Sequence, residues 1–351
     1  MQSSIEGYMP AFSQFIIHWQ KLHGRHELPW QNTADPYRIW VSEIMLQQTQ
    51  VTAVINYYAH FMARFPNIAS LASATQEQVL QYWSGLGYYS RARNLHKAAQ
   101  SIVADLGGVF PTDFTRIQSL SGIGRSTAAA IVAFAYHQPQ PIMDGNVKRV
   151  FARYFLIEGY TGLPAIQKKL WQLAEDNMPQ NDVVAYTQGL MDLGATICIR
   201  AKPKCVICPL NTSCEALKQK RTSELPTPKP RKVSPEKQTT MLILLHGDEV
   251  LLEKRPPTGI WGGLWSLPEI NNHLISTEMV AQRFGMDAET LEPLPIINHV
   301  FTHFKLEITP QPLQILKLNQ QAEQAGRIWM RIDDAIGAAI PTPVRKILQM
   351  L

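Results

Sequence analysis

The sequence predicts a multidomain chain: an all-α region, a basic linker, and a smaller α+β region. Three observations point there. Apolar residues recur at helical spacing as far as a cluster of cysteines near residue 200, with no convincing alternating strand among them. Residues 218–237, KQKRTSELPTPKPRKVSPEK, then set seven basic residues against two acidic ones and add four prolines, the texture of an extended solvated tether. Beyond the tether, β-type alternation begins. At 351 residues the chain is long enough for two cores.

Composition narrows the class. Apolar residues make up 45%, ordinary for a soluble protein, and the net charge of +5 leans toward a polyanionic partner. The opening residues MQSSIEGYMPAF lack the basic flank and apolar core of a signal peptide. The longest apolar run, residues 128–136, is far below the roughly 20 residues that span a bilayer. A cytosolic protein is expected, with no membrane partner. All 4 cysteines fall at Cys198, Cys205, Cys208 and Cys214, spaced C-x6-C-x2-C-x5-C. In a reducing compartment that spacing reads as a metal site, either tetrahedral zinc or an iron–sulfur cube.

In chain order, Phe12 to Leu22 is helical, with Phe12, Phe15, Trp19 and Leu22 on one face, and Leu28-Pro29-Trp30 breaks it. Residues 37–64 read as one long helix opening after Pro36, with Trp40, Ile44, Val51, Ile55, Tyr58 and Met62 as its apolar face. Glu43, Gln47 and Gln50 line the edge of that face. A carboxyl so placed is partly desolvated and holds its proton toward neutrality, although a boundary glutamate bonded to a neighbouring backbone group explains the pattern as well. Helical patterns at 76–83 and 90–106 flank Gly85-Leu86-Gly87-Tyr88-Tyr89, a loop suited to laying rings against bases, or simply a turn with core tyrosines.

The segment Leu120 to Asn146 organises this half. Phe114, Ile117 and Leu120 recur at helical spacing, Gly122-Ile123-Gly124 makes a turn too tight for ordinary side chains, and an Ala-rich helix follows. Such a helix start binds an anion such as a phosphate, with Arg125 adding charge; a turn that merely needs glycine fits Gly-x-Gly equally well. The segment ends in Asp144-Gly145-Asn146, a carboxylate delivered from apolar Pro141-Ile142-Met143 beside Lys148 and Arg149. It is a candidate for stabilising positive charge near DNA. Helices are expected over 147–154, 166–177 and 185–199. After the tether, residues 239–246 and 249–254 form a hairpin around Gly247-Asp248. Further strands are expected at 264–267, 296–301, 305–309, 314–318 and 328–331, with helices at 277–285 and 342–351.

These motifs together resemble a known family. The hairpin, the Asp-Gly-Asn turn and the cysteine loop look like the helix-hairpin-helix DNA glycosylases related to endonuclease III. WVSEIMLQQTQV (40–51) and GLGYYSRARNL (85–95) narrow the likeness to adenine DNA glycosylases of the MutY type. RPPTGIWGGLW (255–265) and HVFTHF (299–304) are similar to that family's C-terminal, Nudix-like domain. The resemblance implies a glycosylase domain at 1–217 with a [4Fe–4S] loop at 198–214, the linker at 218–237, and an 8-oxoguanine-recognition domain at 238–351.

The resemblance also implies hydrolytic removal of adenine mispaired with 8-oxoguanine, and less readily with guanine, in base excision repair. It assigns protonation of adenine N7 to Glu43. Asp144 would stay ionised to stabilise the cationic sugar, or hold a transient covalent intermediate, with Asn146 orienting these groups or the water. Bond breakage to an oxocarbenium-like sugar calls for such a carboxyl pair, with pKa values pushed apart by environment. The target adenine must be flipped from the stack. Trp30, Leu46 and Gln188 would line its pocket; Gln48, Thr49, Leu86 and Tyr88 would fill the gap and contact 8-oxoguanine. Gly122, Gly124, Arg125, Lys148 and Arg91 would meet the DNA backbone. Strand-cleaving relatives carry a Schiff-base lysine where this chain has Ser126, so the reaction is expected to stop at an abasic site.

In the tail, Phe301-Thr302-His303 would form the contact loop for 8-oxoguanine; many relatives have serine at the middle position, and threonine adds a methyl there. After Leu267-Pro268 only Glu269 and Glu278 stand where Nudix hydrolases cluster carboxylates for Mg²⁺, so nucleotide hydrolysis is disfavoured. Two rivals stay open: a bifunctional endonuclease III-like glycosylase/lyase, and a non-enzymatic DNA-binding protein with a zinc module. The expected setting is a monomer at the bacterial nucleoid.

Overall fold

The computed structural model describes residues 11–230, 234–270, 277–318 and 326–351. They fall into two compact units, residues 1–72 with 97–231, and residues 73–96 with 232–351.

The helical part runs α1 (Ala11–His23), α2 (Pro36–Leu46), α3 (Val51–Arg64), α4 (Ile68–Ser73), α5 (Gln76–Trp83), α6 (Ser90–Leu106), α7 (Phe114–Ser119), α8 (Arg125–Tyr136), α9 (Gly145–Tyr154), α10 (Pro164–Asp176), α11 (Val183–Asp192) and α12 (Glu215–Lys218). Local chemistry sets several starts. Asp35 caps α2 by accepting from the Tyr37 N–H, with Pro36 in the first turn. Asp113 and Asp144 cap α7 and α9 in the same way. Thr75 and Gln78 form a reciprocal capping box on α5.

Two expectations change here. The single helix over 37–64 is two, α2 and α3, separated by a turn in which Gln48 has φ 59°. Glutamine is a good helix former, so no local signal marks that break. Glu43, Gln47 and Gln50 therefore do not share one helical edge. In α1 the buried face is Phe12, Ser13, Ile16, Ile17, Trp19 and Gln20, while Phe15 and Leu22 are exposed. A strict three-and-four spacing had picked the neighbouring stripe.

The first unit's core joins α1, α9, α10 and α11 through Phe12, Ile16, Val147, Phe151, Leu170, Tyr186 and Leu190. The Phe12 ring lies 5.3 Å from Phe151 and 4.7 Å from Tyr154. Linker residues also dock here. Leu225 is buried, its carbonyl accepts from Arg153 Nε at 2.8 Å, and Thr227 bridges to Tyr160. The solvated tether thus begins after Thr227, not at 218, and its residues 231–233 lie outside the described ones. No helix among the described residues is long and apolar enough to cross a membrane.

The second unit is built on a mixed sheet. Its strands are β1 (Glu236–His246), β2 (Glu249–Lys254), β3 (Trp265–Ser266), β4 (Glu269–Ile270), β5 (Met286–Thr290), β6 (Ile297–Val300), β7 (Lys305–Leu318) and β8 (Arg327–Arg331). The path is β3-β2-β1-β7-β5, with β4 on β1, β6 on β7 and β8 on β2. The hairpin forms where expected, His246 facing Glu249 across Gly247-Asp248. The strands expected at 305–309 and 314–318 are one strand, paired parallel to β1 over residues 305–314. Pro310 and Pro312 interrupt the pattern in sequence but not the ladder. Their carbonyls accept from the Leu294 and Leu291 N–H groups, so that edge needs no donor from them. Helices α13 (Thr277–Phe284), α14 (Ile332–Gly337) and α15 (Thr342–Leu348) complete the unit. Val280 and Phe284 of α13 pack on Leu242, Leu251, Leu313 and Ile315.

Residues 73–96 join this unit through specific bonds. Ser84 Oγ donates to Ile340 O at 2.9 Å, Arg93 Nη1 donates to Gly262 O at 2.6 Å, and Lys254 pairs with Glu77 at 3.2 Å.

Phe151 is fully buried against the Phe12 and Phe155 rings, so Phe151→Ala is expected to cost about 3–5 kcal/mol. Chemical denaturation of the two proteins measures it; a loss under 1 kcal/mol would mean the cluster does not hold the helices together.

Candidate active site

Asp144 sits at the N-cap of α9, delivered by the buried residues Ile142 and Met143. Ser126 fixes that approach: its Oγ accepts from the Met143 N–H at 2.9 Å. Asp144 Oδ1 accepts from the Val147 N–H at 2.7 Å, and Oδ2 lies 3.4 Å from Asn146 Nδ2. Arg149, which the sequence marked only as a cation beside Asp144, donates Nη2 to Asn146 Oδ1 at 2.8 Å and to Gly194 O at 2.7 Å, and Nε to Cys198 O at 2.6 Å. Residues 193–197 form a single π-turn, which leaves carbonyls for that guanidinium. Gly194 is required by packing, since a Cβ there would lie 2.5 Å from Asn146 Cβ.

Glu43 projects from α2 into a cavity of about 110 Å³ lined also by Arg25, Trp30, Ser42, Phe134 and Gln188. Its remaining exposure is to that cavity. Burial, and second the nearby Asp144 carboxyl, push the Glu43 pKa from 4.5 up to about 8. Burial also raises Asp144, but the Val147 and Asn146 N–H groups, the Arg149 charge and the Asn146 amide all oppose it. The donors cluster on Asp144, so a proton shared by the pair settles on Glu43.

The other expected residues divide. Trp30 and Gln188 line the cavity; Leu46 is half-buried at the end of α2 and does not. Gly122, at φ 80°, needs glycine, whereas Gly124 is extended with nothing within 4 Å of an added Cβ, so tightness explains only the first. Gly124 precedes α8 without a side-chain cap, leaving the helix start open to an anion. Arg125 is held by Glu175 at 2.5 Å and lies over the Trp171 ring. Lys148 is half-buried in the first turn of α9. Arg91 requires correction. It is 8% exposed, lies over the Trp83 and Tyr88 rings and donates to Gly87 O, so it shapes the 85–89 loop from within and offers no surface for phosphate. Gln48 is exposed and Thr49 half-buried in the turn between α2 and α3.

In the second unit, Leu86 is buried and Tyr88 exposed at φ 50°. Tyr88, Arg93, Trp261, Phe301, Thr302 and His303 line one cavity of about 550 Å³. Phe301 stacks on Phe304 at 4.5 Å and sits 5.4 Å from Trp261. Glu269 is ion-paired to Arg255, and residues 271–276 beyond it lie outside the described ones.

The four cysteines line one cavity with Arg153, Ile197 and Leu217. Burial raises Cys208 to about 12 and raises Cys205 and Cys214 as well, so these thiols become thiolates only where a metal displaces the proton. Arg153 Nη1 lies 3.4 Å from Cys198 Sγ. Among the described residues no three His, Cys, Asp or Glu side chains close on a single ion position. Asp192, also unforeseen, is buried beneath the Glu43 cavity's wall and pairs with Arg25. An aspartate inside the apolar run 189–194 was a signal available in the sequence.

A helix-hairpin-helix unit with a carboxyl pair behind it defines a DNA base excision repair protein. Residues 41–176 match the HhH-GPD superfamily of base excision DNA repair proteins, and 239–350 match the NUDIX domain. The chain is 39% identical to the adenine DNA glycosylase of Buchnera aphidicola over 96% of its own length and 97% of that protein. It is 31% identical to the mouse adenine DNA glycosylase, covering 81% of it. A thermostable thymine-DNA glycosylase structure overlays 59% of the chain and 95% of itself with TM-score 0.55 at 30% identity. An endonuclease III–DNA complex gives 0.51 at 19%, a likeness of fold. The chain belongs to the adenine DNA glycosylase family.

The raised Glu43 pKa has a consequence for stability. The folded chain keeps a proton that the unfolded chain releases near pH 4.5, so stability falls as pH rises from about 4.5 to 8 and levels off above. Glu43→Gln removes that penalty, worth up to roughly a few kcal/mol. The variant is expected to melt above wild type, by a margin that grows from pH 5 to pH 8; an equal margin at both would show Glu43 to be ordinary.

Proposed function

We propose that the protein flips adenine out of duplex DNA where it is mispaired with 8-oxoguanine or guanine and hydrolyses its N-glycosidic bond. The observation behind this reading is the pairing of Glu43, its pKa lifted to about 8 in a small cavity, with a donor-rich Asp144. Adenine leaves deoxyribose readily only when protonated. Glu43 supplies the proton to N7, the C1′–N9 bond breaks, and its electrons stay with the departing base. The sugar becomes cationic at C1′, and the Asp144 carboxylate stabilises it. Water then adds to C1′, returning its proton to Glu43 and leaving an abasic site. Asn146, held by Arg149, orients the Asp144 carboxylate. Trp30 and Gln188 form walls of the base pocket.

Ser126 has no amine for a Schiff base, and its hydroxyl is engaged with Met143; the reaction stops at the abasic product. The open start of α8 and the hairpin glycines receive phosphates. Tyr88 and the 301–303 loop, on a shared cavity of the second unit, read 8-oxoguanine. We take the domain limits as glycosylase 1–217, a linker at 218–237 whose residues up to Thr227 dock on the glycosylase, and reader 238–351.

Cys198, Cys205, Cys208 and Cys214 would hold the cofactor. Four thiols around a shared cavity are the donor set of a [4Fe–4S] cube. When bound, it supplies a rigid anchor that orders the 199–213 loop. Arg200, Lys202 and Lys204 on that loop then face phosphate.

Single-turnover base release from duplexes with adenine opposite 8-oxoguanine tests the reading, with adenine opposite thymine and an oxidised pyrimidine as controls. Strand breakage at the mispaired adenine only after alkali is expected. The rate is expected to fall as pH rises through about 8, and Glu43→Gln to lower it at least about 100-fold. Nicking of the oxidised pyrimidine without alkali would instead establish a lyase. Iron and labile sulfide in the purified protein, with no stoichiometric zinc, are expected in parallel.

A further inference from the structure

Gln188 and Asp192 lie one turn apart on α11. Gln188 Nε2 donates to Asp192 Oδ1 at 2.8 Å. Asp192 is fully buried and cannot turn: the Arg25 N–H holds Oδ2 at 2.8 Å, while Arg25 Nε and Nη2 hold Oδ1 at 2.8 and 2.6 Å. A carboxylate accepts hydrogen bonds and donates none. The amide of Gln188 must therefore direct its NH₂ at Asp192, which leaves Oε1, without a hydrogen-bond partner among the described residues, as the atom this residue offers on the wall of the Glu43 cavity.

We propose that Asp192, braced by Arg25, sets the base specificity of the pocket by fixing Gln188 as a hydrogen-bond acceptor. Asp192 is a positioning residue that touches no base. The inference rests on the adenine reading and deepens it. A base with an amine at C6 donates to Oε1. A base with a carbonyl at C6, such as hypoxanthine, sets two acceptors face to face and leaves both desolvated. An asparagine at 192 has one acceptor oxygen in place of two, so it cannot satisfy the Arg25 donors and the Gln188 amide together, and the hold on that amide is loosened.

The test compares single-turnover release, at saturating enzyme, of adenine, hypoxanthine and unsubstituted purine placed opposite 8-oxoguanine. Wild type, Asp192→Asn and Gln188→Leu are measured. Comparing each ratio between variants cancels the bases' differing abilities to leave, and a general loss of structure lowers all rates in proportion. For wild type, adenine is expected to exceed both analogues. In Asp192→Asn, the adenine-to-hypoxanthine ratio is expected to fall by about 10- to 100-fold, with the adenine-to-purine ratio falling too. Gln188→Leu is expected to erase the same preference, and it stands as the readout if Asp192→Asn does not fold. Equal loss on all three bases in Asp192→Asn, or an unchanged ratio in Gln188→Leu, overturns the proposal. Failure of wild type to release adenine overturns the glycosylase reading itself, and this one with it.

Discussion

The structure turns on a carboxyl withdrawn from water beside a second carboxyl. Removing Glu43 from solvent disfavours its charged form, and Asp144 adds a like charge that acts in the same direction. Neither effect belongs to one helix. Glu43 comes from α2, and Asp144 from the cap of α9, roughly a hundred residues later. The surrounding helices must be packed tightly enough to exclude water while leaving room for a base. Much of the first unit's architecture meets that demand. Buried Ile142 and Met143 carry the chain to Asp144, and the Ser126 hydroxyl, reaching back from α8, fixes its path.

The two carboxyls differ through the donors around them. Asp144 holds a helix N-cap and is linked through Asn146 to Arg149. Arg149 in turn grips carbonyls of the π-turn and of Cys198. Glu43 has a cavity instead. One continuous set of hydrogen bonds thus runs from the Asp144 carboxyl to the first cysteine, and Gly194 lets the two segments approach. Asp192 repeats the logic on another wall, where a buried charge neutralised by Arg25 directs a neutral amide. In both places, buried charge is tolerated because it is fully hydrogen-bonded, and it orients what lies next to it.

Much of this was legible in the residues. Helices over 76–83 and 90–106 and the strand beginning at 249 stand where periodicity placed them, because those segments alternate or repeat cleanly, and the first also carries a capping box. Spacing alone grouped the cysteines. The turn between α2 and α3 was not legible, since glutamines and a threonine do not announce a stop. Nor was the single strand through Pro310 and Pro312, whose tolerance depends on which neighbour faces their missing N–H groups. Arg91 misled because a cation beside a glycine-rich loop reads as a phosphate contact; its burial against Trp83 and Tyr88 is visible only in three dimensions.

By itself the sequence determined the two classes of unit, the hairpin, the grouping of the cysteines and the candidacy of Glu43 and Asp144, because these rest on local patterns and residue chemistry. Tertiary structure alone decided the burial of both carboxyls and the gathering of donors on Asp144, the joining of residues 73–96 to the sheet unit, and the bracing of Gln188 by Asp192 and Arg25. Desolvation, charge coupling and hydrogen-bond direction depend on neighbours in space, and for Arg25 and Asp192 those neighbours lie 167 residues apart in the chain.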